Sequence, residues 1–298
     1  MTTVARDQNV FSLSAHAAPV VSIRPGESLV LETADCFSDQ VQSAEDTPGG
    51  VDWAHINPAT GPVFVEGAEP GDVLSVLIER IDVAHRGVMA VSGDFGVLRE
   101  RFEGMSFAMI PLEGGFAQVA GASVPVRPMI GVIGVAPAGP PVPCGSPGPH
   151  GGNMDTRLIG EGATLYLPVF VTGALLAAGD LHAAMGDGEI CGTGVEVAGS
   201  ILLRVDIRRD VKLTNPVVET SEVVATIASA ETLDEAADSA TREMADLLTQ
   251  RLGLSAADAT MLMSAAGQLQ VSQVVDPLKT ARYAMSKEIL ARFGRELI

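Results

Sequence analysis

The amino-acid sequence predicts a mainly β protein, built as a sandwich or barrel, that ends in a smaller α+β part. Short runs rich in Val, Ile and Leu fill the first two thirds of the chain. Turn sequences such as Arg24-Pro25-Gly26-Glu27 separate these runs, with Pro fixing φ and Gly supplying a positive φ. Helical spacing of apolar residues begins only near residue 230. Many short strands joined by Gly and Pro turns are typical of a sandwich or barrel.

The strands of the β-rich part are predicted where apolar runs are bounded by turn residues. In chain order these runs are 20–23, 28–32, 73–81, 88–90 and 129–135. The segment 136–152 is rich in proline, which excludes a regular helix and a central strand, so we expect an ordered loop there. Strand patterns return at 164–171 and 195–207.

The C-terminal part opens with a capping box, because Thr232 precedes Glu235 by three positions. A helix is predicted from there to Gly253, and a second helix at 255–266. A strand is expected at 269–275, and a third, short helix at 281–295. We therefore divide the chain into a β-rich part (1–145), a second β-rich part (146–228) and an α+β part (229–298), packed as one unit.

Composition limits the classes of partner. The chain has 298 residues, a net charge of −18 and only 4% aromatic residues. Nucleic acids and anionic membranes are therefore not expected as partners, since both are polyanions. The N-terminal sequence has no apolar core of a signal peptide, and no apolar run is long enough to span a membrane. A cytoplasmic location is expected.

Three cysteines, Cys36, Cys144 and Cys191, are widely spaced, and no Cys-x-x-Cys pair occurs. A thiolate zinc site is therefore not expected. Nothing in the sequence places a base beside any of them, so we interpret all three as small buried apolar side chains.

The most informative sequence is His150-Gly151-Gly152-Asn153-Met154-Asp155 together with GDLHAAMGDGEICG from Gly179. Imidazole and carboxylate are the usual ligands of a hydrolytic divalent metal, and glycines let the backbone turn sharply around a small group. This composition predicts a metal site built on loops. Four residues are predicted as metal ligands: His150, Asp155, His182 and Asp187. Asp180 is interpreted as a further ligand or as an acceptor that orients an imidazole.

Several of these residues also have an ordinary explanation. A lone histidine is more often a hydrogen-bonded or surface residue than a ligand. Asp187-Gly188 is a common turn pair. Glu66 interrupts an apolar strand pattern between Gly61 and Gly67, which predicts either a solvated edge or a polar pocket, and the pocket is preferred.

Longer segments of the chain resemble the acetamidase/formamidase family of linear-amide hydrolases. The matching segments lie in the family's order over residues 25–277, and they include PGESLVLETADCF, INPATGPVFVEGAEPGD, the two motifs above and MLMSAAGQLQVSQVVDP. The resemblance implies a jelly-roll-like part, a barrel-like part, a bound divalent metal and oligomers. The family's acidic, amide and histidine positions carry over to Glu66, His150, Asn153, Asp155, His182, Asp187 and Glu189. Residues 84–104 depart from the family pattern, which leaves the lid and the choice of amide open.

The function predicted from the sequence is hydrolysis of formamide- or acetamide-like amides to carboxylate and ammonia by metal-activated water. Zinc is the expected metal, with calcium as the alternative, and a homo-oligomer is expected. Glu66 or Glu189 would carry the proton, and Asn153 would stabilise the oxyanion. The alternatives are a related amide or cyclic imide as substrate, and a non-catalytic calcium- or sugar-binding β-sandwich.

Overall fold

The computed structural model describes residues 2–298, and it contains three sheets with helices near the C-terminus. The first seven strands are β1 (Thr2–Val4), β2 (Asn9–Val10), β3 (Ser12–Leu13), β4 (Val21–Ile23), β5 (Ser28–Thr33), β6 (Ala59–Val65) and β7 (Val73–Val83). The next eight are β8 (Arg86–Ser92), β9 (Met105–Glu113), β10 (Phe116–Val119), β11 (Ala122–Pro125), β12 (Met129–Gly134), β13 (Val142–Pro143), β14 (Gly151–Asn153) and β15 (Thr164–Pro168).

The remaining strands alternate with the helices. The strands are β16 (Leu176–His182), β17 (Glu196–Val197), β18 (Gly199–Arg208), β19 (Val217–Glu219), β20 (Val223–Ala230), β21 (Gln268–Gln273) and β22 (Lys279–Ser286). The α-helices are α1 (Leu233–Leu252), α2 (Ala256–Ala266) and α3 (Lys287–Leu290). Short 3₁₀ helices lie at Pro48–Gly50, Trp53–His55, Arg99–Arg101 and Ala291–Phe293.

Two large sheets form the body of the molecule. The nine-stranded sheet has the order β1-β5-β18-β7-β15-β19-β20-β22-β21. The eleven-stranded sheet has the order β11-β10-β9-β8-β17-β16-β12-β14, with β6 beside β16 and with β2 and β4 paired to β6. The two-residue strands β3 and β13 pair separately. The predicted mainly β fold with a smaller C-terminal helical part is confirmed.

One apolar core lies between the two large sheets. Leu31, Ile78 and Leu203 reach it from the nine-stranded sheet, and Ile133 and Leu181 from the eleven-stranded sheet. The strand β5 alternates between buried and half-buried residues, as a strand with one covered face should. In contrast, every residue of β12 and β16 is buried, so polar side chains on these strands lie in the interior.

The predicted segment 195–207 is two strands, because the chain crosses between the sheets at Ala198. The strand β17 belongs to the eleven-stranded sheet, and β18 belongs to the nine-stranded sheet. The nine-stranded sheet takes strands from all three predicted parts of the chain. The division into three parts stays a prediction.

The first predicted helix is α1, and its capping box is present. Thr232 accepts from the backbone N–H of Glu235, Glu235 accepts from that of Thr232, and Gly253 ends the helix in the left-handed conformation. Apolar residues of α1 pack on strands β20 and β22 in a second core. Among residues 2–298, none of the helices combines the length and apolar character that crossing a bilayer requires.

The predicted third helix over 281–295 is wrong for most of its length. Residues 279–286 form β22, which pairs with β20 on one side and β21 on the other. A strand between two others and covered on both faces shows no alternation of polar and apolar residues. The buried run in β22 could therefore not be distinguished from a helix by periodicity, and only the four residues of α3 and the 3₁₀ turn at Ala291–Phe293 are helical.

Candidate functional site

His182 lies at the centre of a buried group of carboxylates. Its Nε2 atom is 3.2 Å from Glu196 Oε1, 3.7 Å from Asp180 Oδ2, 3.8 Å from Asp155 Oδ1 and 4.0 Å from Glu189 Oε1. All five side chains are buried, with Asp155 fully so and His182 1% exposed. Within residues 2–298, no lysine or arginine side chain forms an ion pair with any of these four carboxylates. We call these five residues the His182 cluster.

The strand β16 brings two members of the His182 cluster to one face of the sheet. Asp180 and His182 are two positions apart on this strand, and their side chains meet at 3.7 Å. Strand β12 pairs with β16 so that Met129 is opposite His182. Strand β17 pairs with β16 on its other side, which places Glu196 opposite His182. The sheet register therefore sets three of the five side chains.

Two glycines make room for the His182 cluster. A Cβ atom on Gly131 would lie 2.6 Å from both Asp155 Oδ1 and Asp180 Oδ2. A Cβ atom on Gly194 would lie 2.5 Å from His182 Nδ1. Real Cβ atoms essentially never approach this closely, so these side chains can meet only where the backbone carries glycine. Asp155, Asp180 and Glu189 themselves have φ values of 43°, 55° and 48°, in the left-handed region that ordinary residues rarely occupy.

The acids of the His182 cluster titrate abnormally. Burial raises the pKa of Asp155 to about 6 and that of Glu196 to about 8. Burial and the neighbouring Asp155 raise the pKa of Glu189 well above its usual range. Burial lowers the pKa of His182, but Glu196 and Asp180 more than offset this and raise it well above 6.5. Such a concentration of perturbed groups is typical of a functional site.

The hydrogen bonding of the cluster fits a cation. Several buried polar atoms have no hydrogen-bond partner: both carboxylate oxygens of Asp155, Asp180 Oδ1, Glu196 Oε2 and His182 Nδ1. A buried polar group without a partner costs about 1–3 kcal/mol, and a charged one costs more. Ligand atoms of Asp155, His182 and Glu189 lie within 4.8 Å of one another. Imidazole and carboxylates at this spacing suit a divalent metal.

A cavity of about 890 Å³ opens beside the His182 cluster. Its wall includes Glu189 of the cluster, Met129 opposite His182, and Gly194 against the imidazole. Much of the remaining lining is apolar: Met89, Val119, Val124, Leu158, Met185, Ile190 and Val195. A mostly apolar cavity with a few convergent polar groups is the usual form of a small-molecule site.

His150 does not reach the cluster, so the predicted convergence of the two histidines is wrong. The carbonyl of His150 accepts from the N–H of Val135, whereas His182 pairs with Met129. Met129 and Val135 are six positions apart along β12 and its continuation, which is about 20 Å at the usual rise of a strand. His150 is 3% exposed, its Nε2 has no partner, and burial lowers its pKa to about 4. Of the motif that runs from His150 to Asp155, Asp155 therefore reaches the site and His150 does not.

Asp187 is also outside the ligand set, because both of its carboxylate oxygens bind guanidinium groups. Its Oδ1 accepts from Arg157 Nε at 2.8 Å, and its Oδ2 accepts from Arg282 Nη2 at 2.7 Å. Partial burial opposes the ionised form, but the two arginines hold the pKa of Asp187 below its usual value. The predicted metal ligand is instead an anchor for the loop that carries Glu189.

Glu66 and Asn153 lie elsewhere. Glu66 follows strand β6 on the surface and accepts a hydrogen bond from Ser22, so the preferred polar pocket is wrong and the solvated edge is correct. Asn153 is paired with Val132, whose side chain packs with Leu13 in a separate apolar cluster. Cross-strand partners project to the same face, so the register does not direct Asn153 towards His182.

Sequence reasoning missed Glu196, Asp276 and Cys36. Glu196 stands between two buried valines at the start of β17, and an isolated acid in an apolar run was a usable signal. Asp276 and Asp155 interact closely enough that burial and Asp155 raise the pKa of Asp276 well above its usual range. Cys36 is 5% exposed, and Cys144 is buried as expected, whereas Cys191 is only partly buried.

Comparison with known proteins agrees with the fold. The model of the acetamidase/formamidase family matches residues 13–140 and 144–290, which is nearly the whole chain. The chain belongs to the acetamidase/formamidase family. A formamidase from Methylophilus methylotrophus is 26% identical over 280 residues, which cover 70% of this chain and 67% of that protein. The chain spans about 61–67% of the length of the curated relatives it matches.

Two solved structures of the family are more similar to this chain in sequence than these curated relatives, and they match more of its length. A crystal structure of a predicted acetamidase/formamidase from Thermoanaerobacter tengcongensis has a TM-score of 0.96 and 50% identity, covering 98% of each chain. An acetamidase from Bacillus halodurans has a TM-score of 0.95 and 45% identity, covering 98% of this chain and 99% of that chain. The whole fold, including both large sheets and the C-terminal helices, is therefore that of the family.

Proposed function

We propose that this chain hydrolyses short linear amides of the formamide or acetamide type to a carboxylate and ammonia. The observation that carries the proposal is the His182 cluster, a buried group of four carboxylates and one imidazole beside a largely apolar cavity. The names of the related formamidases and acetamidases support the substrate class.

Asp155, His182 and Asp180 are the proposed ligands of a divalent metal. Asp155 and Asp180 both approach the space above Gly131, and both lie within 3.8 Å of His182 Nε2. Their unpartnered buried oxygens support this assignment. Imidazole among the ligands favours zinc over calcium, which prefers oxygen alone. A divalent metal, when bound, polarises a carbonyl oxygen and lowers the pKa of water.

Glu189 is the proposed proton carrier. It is the member of the His182 cluster that lines the cavity, and it stands 4.0 Å from His182 Nε2. A carboxylate at this position can take a proton from the attacking water and give it to the departing nitrogen.

The apolar lining of the cavity favours a substrate with a small alkyl group. Met129, Leu158 and Val195 offer apolar surface beside the acids, which suits the alkyl group of an acyl chain. A small amide gains little binding energy from remote contacts, so we expect a KM of about 1 mM or more.

The test measures ammonia release from formamide and acetamide by the purified chain, before and after chelation and after zinc is restored. Activity should disappear with the chelator and return with zinc. Glu189→Gln should lower kcat by about 10²–10⁴-fold. Glu66→Gln is the matched control, since Glu66 is an exposed acid away from the cluster. Full activity after chelation would exclude the metal mechanism, and no turnover of any short amide would favour the non-catalytic binding protein.

A further inference from the structure

The cavity beside the His182 cluster is larger than formamide or acetamide requires. Its volume is about 890 Å³. Pockets of about 300–1,000 Å³ usually enclose drug-sized ligands, whereas formamide and acetamide have only a few non-hydrogen atoms and would occupy a small part of such a space. The cavity therefore has room for an amide whose acyl part is longer and carries a second functional group.

Arg127 is a cation on the wall of this cavity that has no acidic partner. The lining contains two arginines, Arg127 and Arg157, and two acids, Asp187 and Glu189. Arg157 is bound to Asp187 at 2.8 Å. Within residues 2–298, every ion pair made by an arginine belongs to a residue other than Arg127, although the chain has 37 acidic residues for 19 lysines and arginines. The guanidinium of Arg127 is therefore free to bind an anionic group in the cavity.

The backbone fixes the position from which the Arg127 side chain extends. The N–H of Arg127 donates to the carbonyl of Ala183 at 2.8 Å, and the following Pro128 restricts Arg127 to an extended conformation. Arg127 is two positions before Met129, which pairs with His182. Two positions along an extended chain span about 7 Å. An amide at the His182 cluster and an anionic group on Arg127 would therefore be separated by several carbon atoms.

The surface available to those carbon atoms is apolar. Met129 lies between Arg127 and the partner of His182 in the sheet register, and it lines the cavity together with Met89 and Leu158. Methylene groups suit such a surface. Among anions, a carboxylate matches the planar guanidinium by accepting two parallel N–H···O bonds. The cavity thus offers a polar end, an apolar wall and a cationic end.

We propose that Arg127 selects, among the substrates of the proposed function, on which this inference rests, amides that carry a carboxylate: the monoamides of short aliphatic dicarboxylic acids. The amide lies at the His182 cluster, the methylenes lie against Met129 and Leu158, and the carboxylate binds Arg127. Water adds to the amide carbon, the C–N bond breaks and ammonia leaves, so the product is the dicarboxylate. The carboxylate contact is the same before and during the reaction, so Arg127 acts mainly on KM.

The experiment compares glutaramate, the monoamide of glutaric acid, with glutaramide, the uncharged diamide of the same length. In wild type, kcat/KM per amide group should be about tenfold or more higher for glutaramate, mainly through KM, because a hydrogen-bonded charge pair is made. Arg127→Gln should remove this preference and leave glutaramide turnover unchanged. Arg127→Lys keeps the charge without the planar fork, and it should keep part of the preference.

Arg242→Gln is the matched control, because Arg242 is an exposed arginine of α1 and is not part of the cavity wall. It should keep the full preference for glutaramate. Arg127 itself is exposed, so its replacement should not prevent folding.

Equal kcat/KM for the two compounds in wild type, or an unchanged preference in Arg127→Gln, would overturn the role of Arg127 and leave the proposed amide hydrolysis standing. If no amide is hydrolysed, the proposed function is contradicted, and calorimetric binding of glutarate decides the role of Arg127. Binding that weakens about tenfold or more in Arg127→Gln would support the carboxylate site. No binding to wild type, or equal affinity in the two proteins, would overturn it.

Discussion

Gly131 shows how one residue without a side chain permits the site. Alanine there would place a Cβ 2.6 Å from the carboxylates of Asp155 and Asp180 and 2.9 Å from the carbonyl of Asp180. The carbonyl oxygen of Asp180 belongs to the backbone and cannot move away easily. The carboxylates of Asp155 and Asp180 must therefore separate to make room for the new methyl group.

We therefore expect Gly131→Ala to weaken metal binding by tenfold or more, which is about 1.4 kcal/mol, and to lower stability by about 1–3 kcal/mol. Competition with a chromophoric chelator measures the affinity. Gly139→Ala is the control, because nothing lies within 4 Å of a Cβ at Gly139. Equal metal affinity in the two variants would show that the close approach is not needed.

His150 predicts a pH dependence of stability. Burial lowers its pKa to about 4 from 6.5, so protonation favours the unfolded chain. The contribution of His150 is intact above pH 6.5 and is lost as the pH falls from 6.5 to 4. The loss should reach about 3 kcal/mol, since each unit of pKa difference is worth about 1.4 kcal/mol.

Denaturant unfolding of wild type and His150→Gln over this pH range measures the effect. The variant should lose less stability on acidification than wild type, because the other titrating groups are common to both. Parallel curves for the two proteins would show that His150 is not buried in its neutral form.

At the scale of elements, the hairpin β21–β22 holds the loop that carries Glu189. Arg282 on β22 is 1% exposed and donates to Gln270, to the carbonyl of Val271, to Ser272 and to Asp187. The N–H of Gly188 donates to the carbonyl of Ser272 at 2.8 Å. Ser272 also accepts from Thr156, next to Asp155. One hairpin therefore positions two segments of the site.

Arg282→Met should lower kcat/KM by about 10–100-fold, the range found when a residue that supports a metal site is lost, because the loop that carries Glu189 loses its anchor. It should also destabilise the fold by about 3 kcal/mol. Amidase kinetics and denaturant unfolding measure the two effects. Arg157→Met is the matched control, since Arg157 pairs with the same Asp187 but is partly exposed. An exposed ion pair contributes about 0–1 kcal/mol, so equal effects of the two variants would contradict the assignment.

At the scale of the whole molecule, the site lies in the eleven-stranded sheet next to the main core. Burial of its charged groups lowers the free energy of unfolding of the whole chain. Metal that binds only the folded chain adds stability by mass action, about 2.7 kcal/mol when free metal is 100-fold above Kd. Removing the proposed metal with a chelator should therefore lower Tm.

Thermal unfolding with and without chelator measures this difference. Asp155→Asn should unfold at the same temperature in both conditions, because the variant lacks a proposed ligand. A wild-type Tm that is unchanged by chelation would mean that the buried carboxylates are balanced in some other way.

The sequence alone determined the local features. Thr232, Glu235 and Gly253 define α1 because a cap depends only on neighbouring residues. The Pro and Gly turns separate the strands correctly for the same reason. The two glycine-rich motifs also contain Asp155, His182 and Glu189, which the structure brings together, since residue types and short spacings can be read directly from the sequence.

Only the tertiary structure decided which of the candidate side chains meet. His150 and Asp155 are neighbours in sequence, yet the run of β14 along β12 carries them to different places. Cys36, Glu196 and Asp276 reach the site from three distant segments, and sheet register and burial, not local composition, bring them together. Asp187 is a carboxylate like the proposed ligands, and it is an anchor because Arg157 and Arg282 both donate to its oxygens.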